Sequence, residues 1–437
     1  MSPSPHTVRL LAIIGLLSTP MTLATSQAAK SDTIVRVAGS PIHTGVARLV
    51  EEISIGALDG AEEYLFGDIS EVAIGADGSI YVFDRQVPAL RKYDVRGKYV
   101  RTLGSKGQGP GEYLKGGGLA VHPDGRVMLW DSGTWRINVY SPAGESIATW
   151  RTPSGVSGSV SLSTSHALVI DSAGVIWYRR NIFDRQRAGG PRSEWVRIDG
   201  TGAPLDTLAE PVFSIVPRTL SAANRYGSTT TSVPFEPRTL SALSPRGYFV
   251  TGYPQHYAFE MLIPPTGAAS PRRWRAGDPV VSVRRPDVKA AAVSRAQRDT
   301  ARRSVEERMR RTDPAWSWDG PPIPDTHPFY TRIVPALDGR IWLSLFGDSP
   351  PSAPGTALMQ VGGGAGGPPR APRAPSPPVL SSTPMPYDVF EPSGAYVGRV
   401  DIPPRMVLGA MRGDQVWGVT FNEDDVAFLK RYRISWP

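Results

Sequence analysis

The sequence has no cysteine among its 437 residues, and only seven of its 48 basic residues are lysines. Without cysteine the chain can form no disulfide, and it offers no thiolate nucleophile, no cysteine-based zinc site and no cysteine for lipid attachment. Arginine supplies most of the formal net charge of +8. A basic surface of this kind suits nucleic acid, the anionic polymers of a cell envelope or simple solubility.

Long apolar runs are missing as well. The stretch LLAIIGLL, residues 10–17, follows Arg9 and is far shorter than the ~20 residues that span a bilayer. A small and polar stretch comes next, with a small-x-small cleavage site ending at Ala28. This layout predicts a signal peptide over residues 1–28 and a periplasmic or secreted protein with no membrane span after cleavage. An uncleaved anchor is the alternative. Export argues against nucleic acid as a partner.

Turn-forming and aromatic residues are abundant: there are 45 Gly, 43 Pro, 11 Trp and 15 Tyr. Such a composition favours short aromatic strands joined by turns over a helical bundle. A chain of this length would normally form two or three domains, but a single large all-β domain can also reach this size. The composition favours the single domain.

A repeat of 47 residues defines the architecture. It is seen when EVAIGADGSIYVFDRQVPALRKYDVRGKYVRTLG, residues 71–104, is placed above GLAVHPDGRVMLWDSGTWRINVYSPAGESIATW, residues 118–150. The residues that recur at this spacing are Asp77 and Asp124, Gly78 and Gly125, Asp84 and Asp131, Tyr93 and Tyr140, and Gly97 and Gly144. Asp-Gly favours tight hairpins, so each unit reads as four antiparallel strands, which is the blade of a β-propeller.

Four fainter copies follow, each with a turn glycine and a nearby aromatic residue. They are marked by Gly174 and Trp177, Gly247 and Phe249, Gly339 and Trp342, and Gly413 and Trp417. The sequence thus predicts a six-bladed β-propeller over residues 47–437. The last copy ends too early for a fourth strand, and the alternating segment ARLVEEISIG, residues 47–56, is predicted to supply it and close the ring.

The glycine-rich stretch GSKGQGPGEY, residues 104–113, resembles a phosphate-binding loop in composition. A phosphate loop needs Ser or Thr after its lysine and then a helix N-terminus. Here Lys106 precedes Gly107, Pro110 removes a backbone donor, and the extended segment GGGLAV follows. The stretch lies between two predicted blades, so we interpret it as a blade connector.

The blade pattern VAIGADGSIYVFD, LRKYD and YVRTLG, with the connector GQGPGEY, resembles the NHL-type or TolB-like six-bladed propellers, especially exported bacterial ones. The resemblance is specific over residues 69–150. It implies a propeller with a binding surface at one end of the central channel. That group contains both binding proteins and enzymes, so the fold alone does not fix the function.

Two insertions interrupt the repeats. Residues 286–311 contain no glycine, begin with proline and are rich in Ala, Arg and Glu, so a helix is predicted between blades four and five. A thin apolar stripe suggests that this helix lies on the propeller as a lid or brace, with a free solvated helix as the alternative. Residues 348–386 are dense in proline and glycine and predict a flexible loop between the second and third strands of blade five.

Residues just before each innermost strand are expected to face the central channel. Counting back seven to nine positions from each turn glycine gives the candidates Glu71, Gly117, Gly118, His166, Arg238, Arg332 and Arg405. Three arginines and a histidine around one axis would form a cationic funnel for carboxylate, phosphate or sulfate groups. The alternative is that some of them pair with Glu71 or cap strand ends.

A metal site in the channel is the alternative to the cationic funnel. Amidating lyases similar to NHL propellers hold a metal with several channel histidines. Of the six histidines in this chain, only His166 aligns with a channel position. His122 is predicted to lie in a turn away from the axis. Lactonase-type propellers bind a divalent ion through Glu, Asn and Asp, and Glu71 is the only carboxylate at a matching place. Asp84 and Asp131 are expected to cap turns, and residues 422–425, NEDD, to form a solvated turn.

No GxSxG motif occurs, so nucleophilic hydrolysis has no positive signal. The sequence therefore predicts an exported, monomeric binding protein without cofactor, which docks a small anionic ligand or a protein partner at the channel mouth. Its expected ligand-binding residues are Arg238, Arg332, Arg405, His166 and Glu71. The alternative is a metal-assisted lyase or lactonase that uses Glu71, His166 and a divalent ion. RNA binding, as in intracellular NHL propellers, would fit the charge but not the export.

Overall fold

The protein is an all-β, six-bladed β-propeller with one inserted helix. The computed structural model describes residues 33–152, 168–182, 192–211, 215, 217–263, 280–346 and 380–437. The predicted signal peptide, His166 and most of the predicted loop at 348–386 lie outside the described residues. The last two residues of that predicted loop, Met385 and Pro386, already belong to a strand.

Two strands precede the first blade, β1 (Thr33–Val37) and β2 (Val46–Ile55). Blade one is an antiparallel sheet of β3 (Ile69–Ile74), β4 (Ile80–Asp84), β5 (Ala89–Tyr93) and β6 (Tyr99–Leu103). A short parallel pair follows, β7 (Ser105–Lys106) and β8 (Glu112–Tyr113). Blade two consists of β9 (Gly116–Val121), β10 (Val127–Asp131), β11 (Arg136–Tyr140) and β12 (Ser146–Arg151).

Blade three consists of β13 (Leu168–Ile170), β14 (Ile176–Ile182), β15 (Arg192–Ile198) and β16 (Pro204–Ala209). A separate hairpin, β17 (Thr219–Asn224) and β18 (Gly227–Ser232), leads to blade four. Blade four contains β19 (Leu240–Leu243), β20 (Phe249–Gly252), β21 (Ala258–Leu262) and β22 (Val280–Arg284). The helix α1 (Arg295–Arg310) comes next.

Blade five consists of β23 (Tyr330–Pro335), β24 (Ile341–Leu345), β25 (Met385–Phe390) and β26 (Tyr396–Ile402). Blade six contributes β27 (Met406–Arg412), β28 (Gln415–Phe421) and β29 (Ala427–Ser435). The six predicted turn glycines, from Gly78 to Gly413, all have φ between 57° and 89°. This left-handed conformation suits glycine, and the assignment of six repeats is confirmed.

Large aromatic side chains from the second strands fill the space between blades. Trp130, Trp177, Trp342 and Trp417 are each at most 2% exposed. Three of them were expected from the aromatic that follows each turn glycine. Their burial removes large apolar areas from water in each blade, and this is the main term that stabilises the ring.

Asp84 and Asp131 hold corresponding positions at the ends of β4 and β10, and both are fully buried. The Asp84 carboxylate accepts hydrogen bonds from the backbone N–H groups of Gly67 and Gln86. The Asp131 carboxylate accepts from Lys115 N at 2.7 Å. Each carboxylate thus joins the end of the second strand to the connector that enters its blade, and the predicted capping role is confirmed.

The stretch GSKGQGPGEY is a blade connector, as predicted. It runs from the end of β6 through β7 and β8 to β9. The Glu112 carboxylate accepts a hydrogen bond from Gly109 N, and the Tyr113 hydroxyl donates to Leu103 O while accepting from Leu90 N. Tyr113 is fully buried and anchors the connector between blades one and two.

The N-terminal strand β2 closes the ring. It pairs antiparallel with β29, from Arg48 opposite Ser435 to Ile55 opposite Leu429, with a shift of register between Glu51 and Ile53, and this closure was predicted. The strand β1 was not predicted: it lies parallel to β22 as a fifth strand of blade four. Between them, His43 N donates to Val397 O of blade five. We call residues 33–55 the N-terminal strap, because they join blades four, five and six.

The inserted helix is shorter than the predicted segment 286–311. It begins after Ser294, which forms a capping box with Gln297, and the residues before Ser294 form turns and an isolated bridge. The buried side chains of Val305 and Met309 belong to a cluster with Leu220 from β17. The helix is therefore packed against the β17–β18 hairpin, and the alternative of a free solvated helix is wrong.

Buried tyrosines make the stability sensitive to alkaline pH. Burial raises the pKa of Tyr113 to about 12, and burial together with the Glu51 carboxylate raises the pKa of Tyr432 to about 12. An unfolded tyrosine ionises near pH 10. Above pH 10 the unfolded chain releases protons that the folded chain retains, so the free energy of unfolding is expected to fall between pH 10 and about 12.

Urea unfolding at pH 8 to 12 measures this effect. The variant Tyr432→Phe loses an ionisable hydroxyl without a large change of volume. We expect a shallower fall of the free energy of unfolding with pH in this variant than in the wild type. Identical pH profiles for the two proteins would show that Tyr432 does not contribute.

Candidate functional site

The central channel is lined by the innermost strand of each blade, β3, β9, β13, β19, β23 and β27. A cavity of about 290 Å³ lies in this channel and takes lining residues from all six strands. It occupies mainly the later residues of these strands and the turns that follow them, from Val72–Ile74 in blade one to Gly409–Arg412 in blade six. Only a closed ring brings these six segments together.

Most of the cavity wall is apolar. The apolar lining side chains include Val72, Ile74, Leu119, Val121, Leu168, Ile170, Leu243, Val334 and Met411. Several polar groups interrupt this wall: His122, Asp171, Ser172 and Arg412 at or next to the turns, and Arg179, Glu210, Trp195 and Ser241 on the side of blades three and four. Apolar walls with a small number of placed polar groups are typical of small-molecule sites.

Blade three provides the polar side of the cavity. Within the described residues, β13 begins at Leu168, which pairs with Tyr178. Arg179 lies one residue further along β14, and it faces Trp195 of β15 directly across the sheet. Arg179 Nη2 donates to the Glu210 carboxylate at 2.7 Å and to Ser193 Oγ at 3.1 Å. The positive charge of Arg179 is therefore balanced at the site.

His122 corrects the sequence interpretation, which placed it away from the axis. The structure has it lining the cavity. Its Nδ1 lies 2.8 Å from the Asp124 carboxylate, and its Nε2 lies 3.1 Å from Gly174 O of blade three. The side chain links the turns of two blades and has its ring nitrogens engaged.

Two of the predicted site residues are in the first halves of innermost strands. Glu71 lies in β3 opposite Phe83 and is buried. Arg332 lies in β23 opposite Ser344 and is exposed. Neither residue lines the cavity described above.

The other two described candidates precede their strands. Arg238 is exposed and comes two residues before β19. Arg405 has a left-handed backbone, with φ 57°, and its guanidinium donates to Phe421 O and Asn422 O and pairs with the Asp425 carboxylate. This is the strand-capping role that the sequence analysis held as the alternative. Neither side chain lines the cavity.

The polar residues Arg179, Trp195, Glu210 and Ser241 were missed from the sequence. Arg179 and Trp195 lie in the second and third strands of blade three, and Glu210 directly follows its fourth strand, whereas the predicted candidates all lie near the first strands. The excess of polar residues in β14 and β15, RRN and RSE, was a weak signal for them.

Metal-binding groups do not cluster in the described part of the chain: no three His, Asp or Glu side chains there could hold one ion. In the NEDD turn, Asn422 Oδ1 accepts hydrogen bonds from Asp424 N and Val426 N, as expected of a solvated turn. No helix in the ranges given above is long and apolar enough to cross a membrane.

Comparison with a family model supports the fold. Residues 26–185 match a family model, DUF5128, described as a six-bladed β-propeller. A solved Bacteroides fragilis protein described as exported is similar, with a TM-score of 0.44 and 9% identity over 92% of this chain and 99% of that chain. A DUF4221 member from Bacteroides vulgatus gives 0.46 and 10% over 91% and 100%.

A streptogramin B lyase structure is also similar, with a TM-score of 0.35 and 11% identity over 89% of this chain and 88% of that chain. At such identities the likeness concerns the fold alone. The sequence matches no curated protein significantly.

Proposed function

We propose that this chain is an exported binding protein that takes a small ligand in its central channel. The observation that supports it best is the cavity of about 290 Å³, whose largely apolar wall carries a few polar side chains from separate blades.

We further propose that the propeller is of the NHL or TolB-like kind, that the leader at 1–28 is cleaved, and that the mature monomer is periplasmic or secreted. These proposals rest on the sequence pattern.

The arginines at the beginnings of the innermost strands are proposed to attract anionic ligands. Arg238 and Arg332 are both exposed and precede or begin the innermost strands of adjacent blades. Exposed guanidinium groups near a channel raise the local concentration of anions and bind carboxylate or phosphate oxygens. Arg405 contributes less to this proposal, because its guanidinium already pairs with Asp425.

The test is a thermal-shift screen of small carboxylates, phosphates and sulfate with the mature protein. We expect multivalent anions to raise Tm in the wild type and to lose this effect in the double variant Arg238→Ala/Arg332→Ala. At a ligand concentration of 100 times Kd, stabilisation would be about 2.7 kcal/mol. The matched control is Arg303→Ala on the exposed face of α1, which should respond like the wild type.

Three results would contradict parts of the proposal. An unchanged response in the double variant would remove the arginines from the site. Elemental analysis that finds a divalent metal retained stoichiometrically in chelator, and lost in Glu71→Ala or His166→Ala, would support a metal-assisted lyase or lactonase instead. A precursor that keeps residues 1–28 in the exported fraction would contradict the cleaved leader.

A further inference from the structure

We infer that the cavity opens at the hairpin turns that follow the innermost strands, and that it admits an uncharged, largely apolar molecule there. This inference rests on the proposed function in one respect, since both place a small ligand in the channel. It adds the chemical class of the ligand in the cavity and the end of the channel by which that ligand enters.

The mouth of the cavity is formed by the turns between the first and second strands of the blades. In five of these turns the second residue lines the cavity: Ala76, Pro123, Ser172, Pro245 and Leu337. Four of the five are apolar. Proline suits this position of a turn, but turn geometry gives no reason for Leu337, which is 40% exposed. The rim of the opening is therefore largely apolar although it faces solvent.

The charged residues of the same turns do not line the cavity. The residue after the rim position is Asp77, Asp124, Arg246 or Asp338 in four of the blades. All four are among the described residues, and none of them belongs to the cavity wall. The Asp77 carboxylate accepts from Ser79 Oγ at 2.8 Å, and the Asp338 carboxylate accepts from Gly413 N at 2.8 Å. These turns thus present an apolar residue to the opening and hold the neighbouring charge away from it.

The charges of the described cavity wall cancel. Its carboxylate and guanidinium side chains are Asp171, Glu210, Arg179 and Arg412. Arg179 pairs with Glu210 at 2.7 Å, and the Asp171 carboxylate accepts from Trp177 Nε1 at 2.9 Å. Arg412 donates to Gly75 O at 3.1 Å. Two negative and two positive groups leave no net charge to balance a charged ligand, and a charge that enters an apolar site without a counter-ion is costly.

The hydrogen-bonding groups that remain in the channel are neutral. Each of the six innermost strands lies at the end of its sheet and pairs on one side only. Backbone N–H and C=O groups of the other edge therefore face the channel, where they can bind water or a hydroxyl or amide group of a ligand. The half-buried side chains of Val121, Val169 and Ile170 add apolar contacts. An apolar molecule with few uncharged polar groups fits this lining.

The arginines of the proposed anion site lie toward the other end of the channel. Arg238 precedes β19, and Arg332 is in the first half of β23. The rim residues Pro245 and Leu337 follow the last residues of the same two strands. Neither arginine lines the cavity. The two sites can therefore be tested separately.

The test follows the isoleucine δ1-methyl resonances of the full mature protein by ¹³C NMR, with the Ile170 signal assigned through Ile170→Val. The probes are cyclohexanol, cyclohexanecarboxylate and cyclohexylammonium, which share one ring and differ in charge. We expect cyclohexanol to shift the Ile170 resonance in a saturable way. The two charged probes should bind about tenfold more weakly or less. The resonance of Ile147, which is exposed in β12, should not shift.

A variant of the rim tests the entrance. Leu337→Asp removes an apolar contact and places a carboxylate at the mouth, so it should weaken cyclohexanol binding about tenfold, as for the loss of contact with about two CH₂ groups. Leu337→Asn, which adds no charge, should bind cyclohexanol with intermediate affinity. The matched control is Leu205→Asp in β16, a residue that is 48% exposed and does not line the cavity, and it should bind like the wild type.

Several outcomes would overturn the inference. A charged probe that binds as tightly as cyclohexanol would contradict the charge argument, and tight carboxylate binding that is lost in Arg412→Gln would make the cavity an anion site. An Ile170 resonance that no probe shifts would show that the cavity takes none of them. Wild-type affinity in Leu337→Asp would refute entry at this rim.

The result is distinguishable from that of the anion screen. Anions that fail to stabilise the protein, together with a responsive Ile170, would refute only the anion site at Arg238 and Arg332. Arginine-dependent stabilisation by anions, together with an Ile170 resonance that does not shift, would refute only the inference on the cavity.

Discussion

The variant Asp388→Ala is expected to lower the free energy of unfolding by about 3–5 kcal/mol, because it removes the buried acceptor that joins blades four and five. Asp388 lies in β25 and is fully buried. Its Oδ1 accepts hydrogen bonds from Tyr396 Oη and Arg399 Nε, both at 2.9 Å. Its Oδ2 accepts from Tyr257 Oη of blade four and from Arg285 Nη1.

The physical reason is the arginine that remains. The side chain of Arg285 is only 13% exposed, and its guanidinium packs 4.0 Å from the centre of the Tyr396 ring. Burial and the Asp388 carboxylate raise the pKa of Tyr396 to about 12, so the tyrosines stay neutral and act as donors at neutral pH. Without Asp388, a buried cation loses its main counter-ion and two buried hydroxyls lose their acceptor.

Urea unfolding followed by tryptophan fluorescence measures the effect. Asp388→Asn keeps an acceptor oxygen but not the charge, so it should be destabilised to an intermediate degree. The control is Glu423→Ala, which removes an exposed carboxylate and should lie within about 0.5 kcal/mol of the wild type. An Asp388→Ala variant as stable as this control would show that the cluster does not stabilise the ring.

Deletion of the whole N-terminal strap, residues 33–55, is expected to abolish the cooperatively folded monomer. The strand β2 supplies the fourth strand of blade six and buries Ala47 and Ile55 almost completely. Without it, the edges of β29 and β26 are open, and unpaired strand edges promote association between chains. The ring would also lose the pairing that joins its two ends.

A shorter deletion is the matched comparison. A mature chain that starts at Ala38 loses only β1, whose five residues are all exposed. We expect this chain to remain a folded monomer with a modestly lower Tm, because little apolar surface is lost. Size-exclusion chromatography and thermal unfolding by circular dichroism distinguish the two chains. A sharp unfolding transition in a monomer that lacks residues 33–55 would contradict the role given to β2.

The sequence by itself determined the parts of this protein that are local and repeated. A turn glycine with positive φ and a buried aromatic residue shortly after it recur in every blade, and blades one and two also share an Asp that caps the second strand, so each blade could be predicted from a short window. The closing strand β2 could also be predicted, because blade six lacked one strand and a single alternating segment was left over.

Only the tertiary structure decided what lies between distant segments. The pairing of β1 with β22 joins residues more than 240 positions apart and leaves no periodic signal, since every β1 side chain is exposed. Arg405 caps a turn instead of facing the channel because the fold places the Asp425 carboxylate next to its guanidinium. The polar wall of Arg179, Trp195 and Ser241 exists because two blades meet there, and side-chain contacts across a blade interface depend on register and packing that no short sequence window contains.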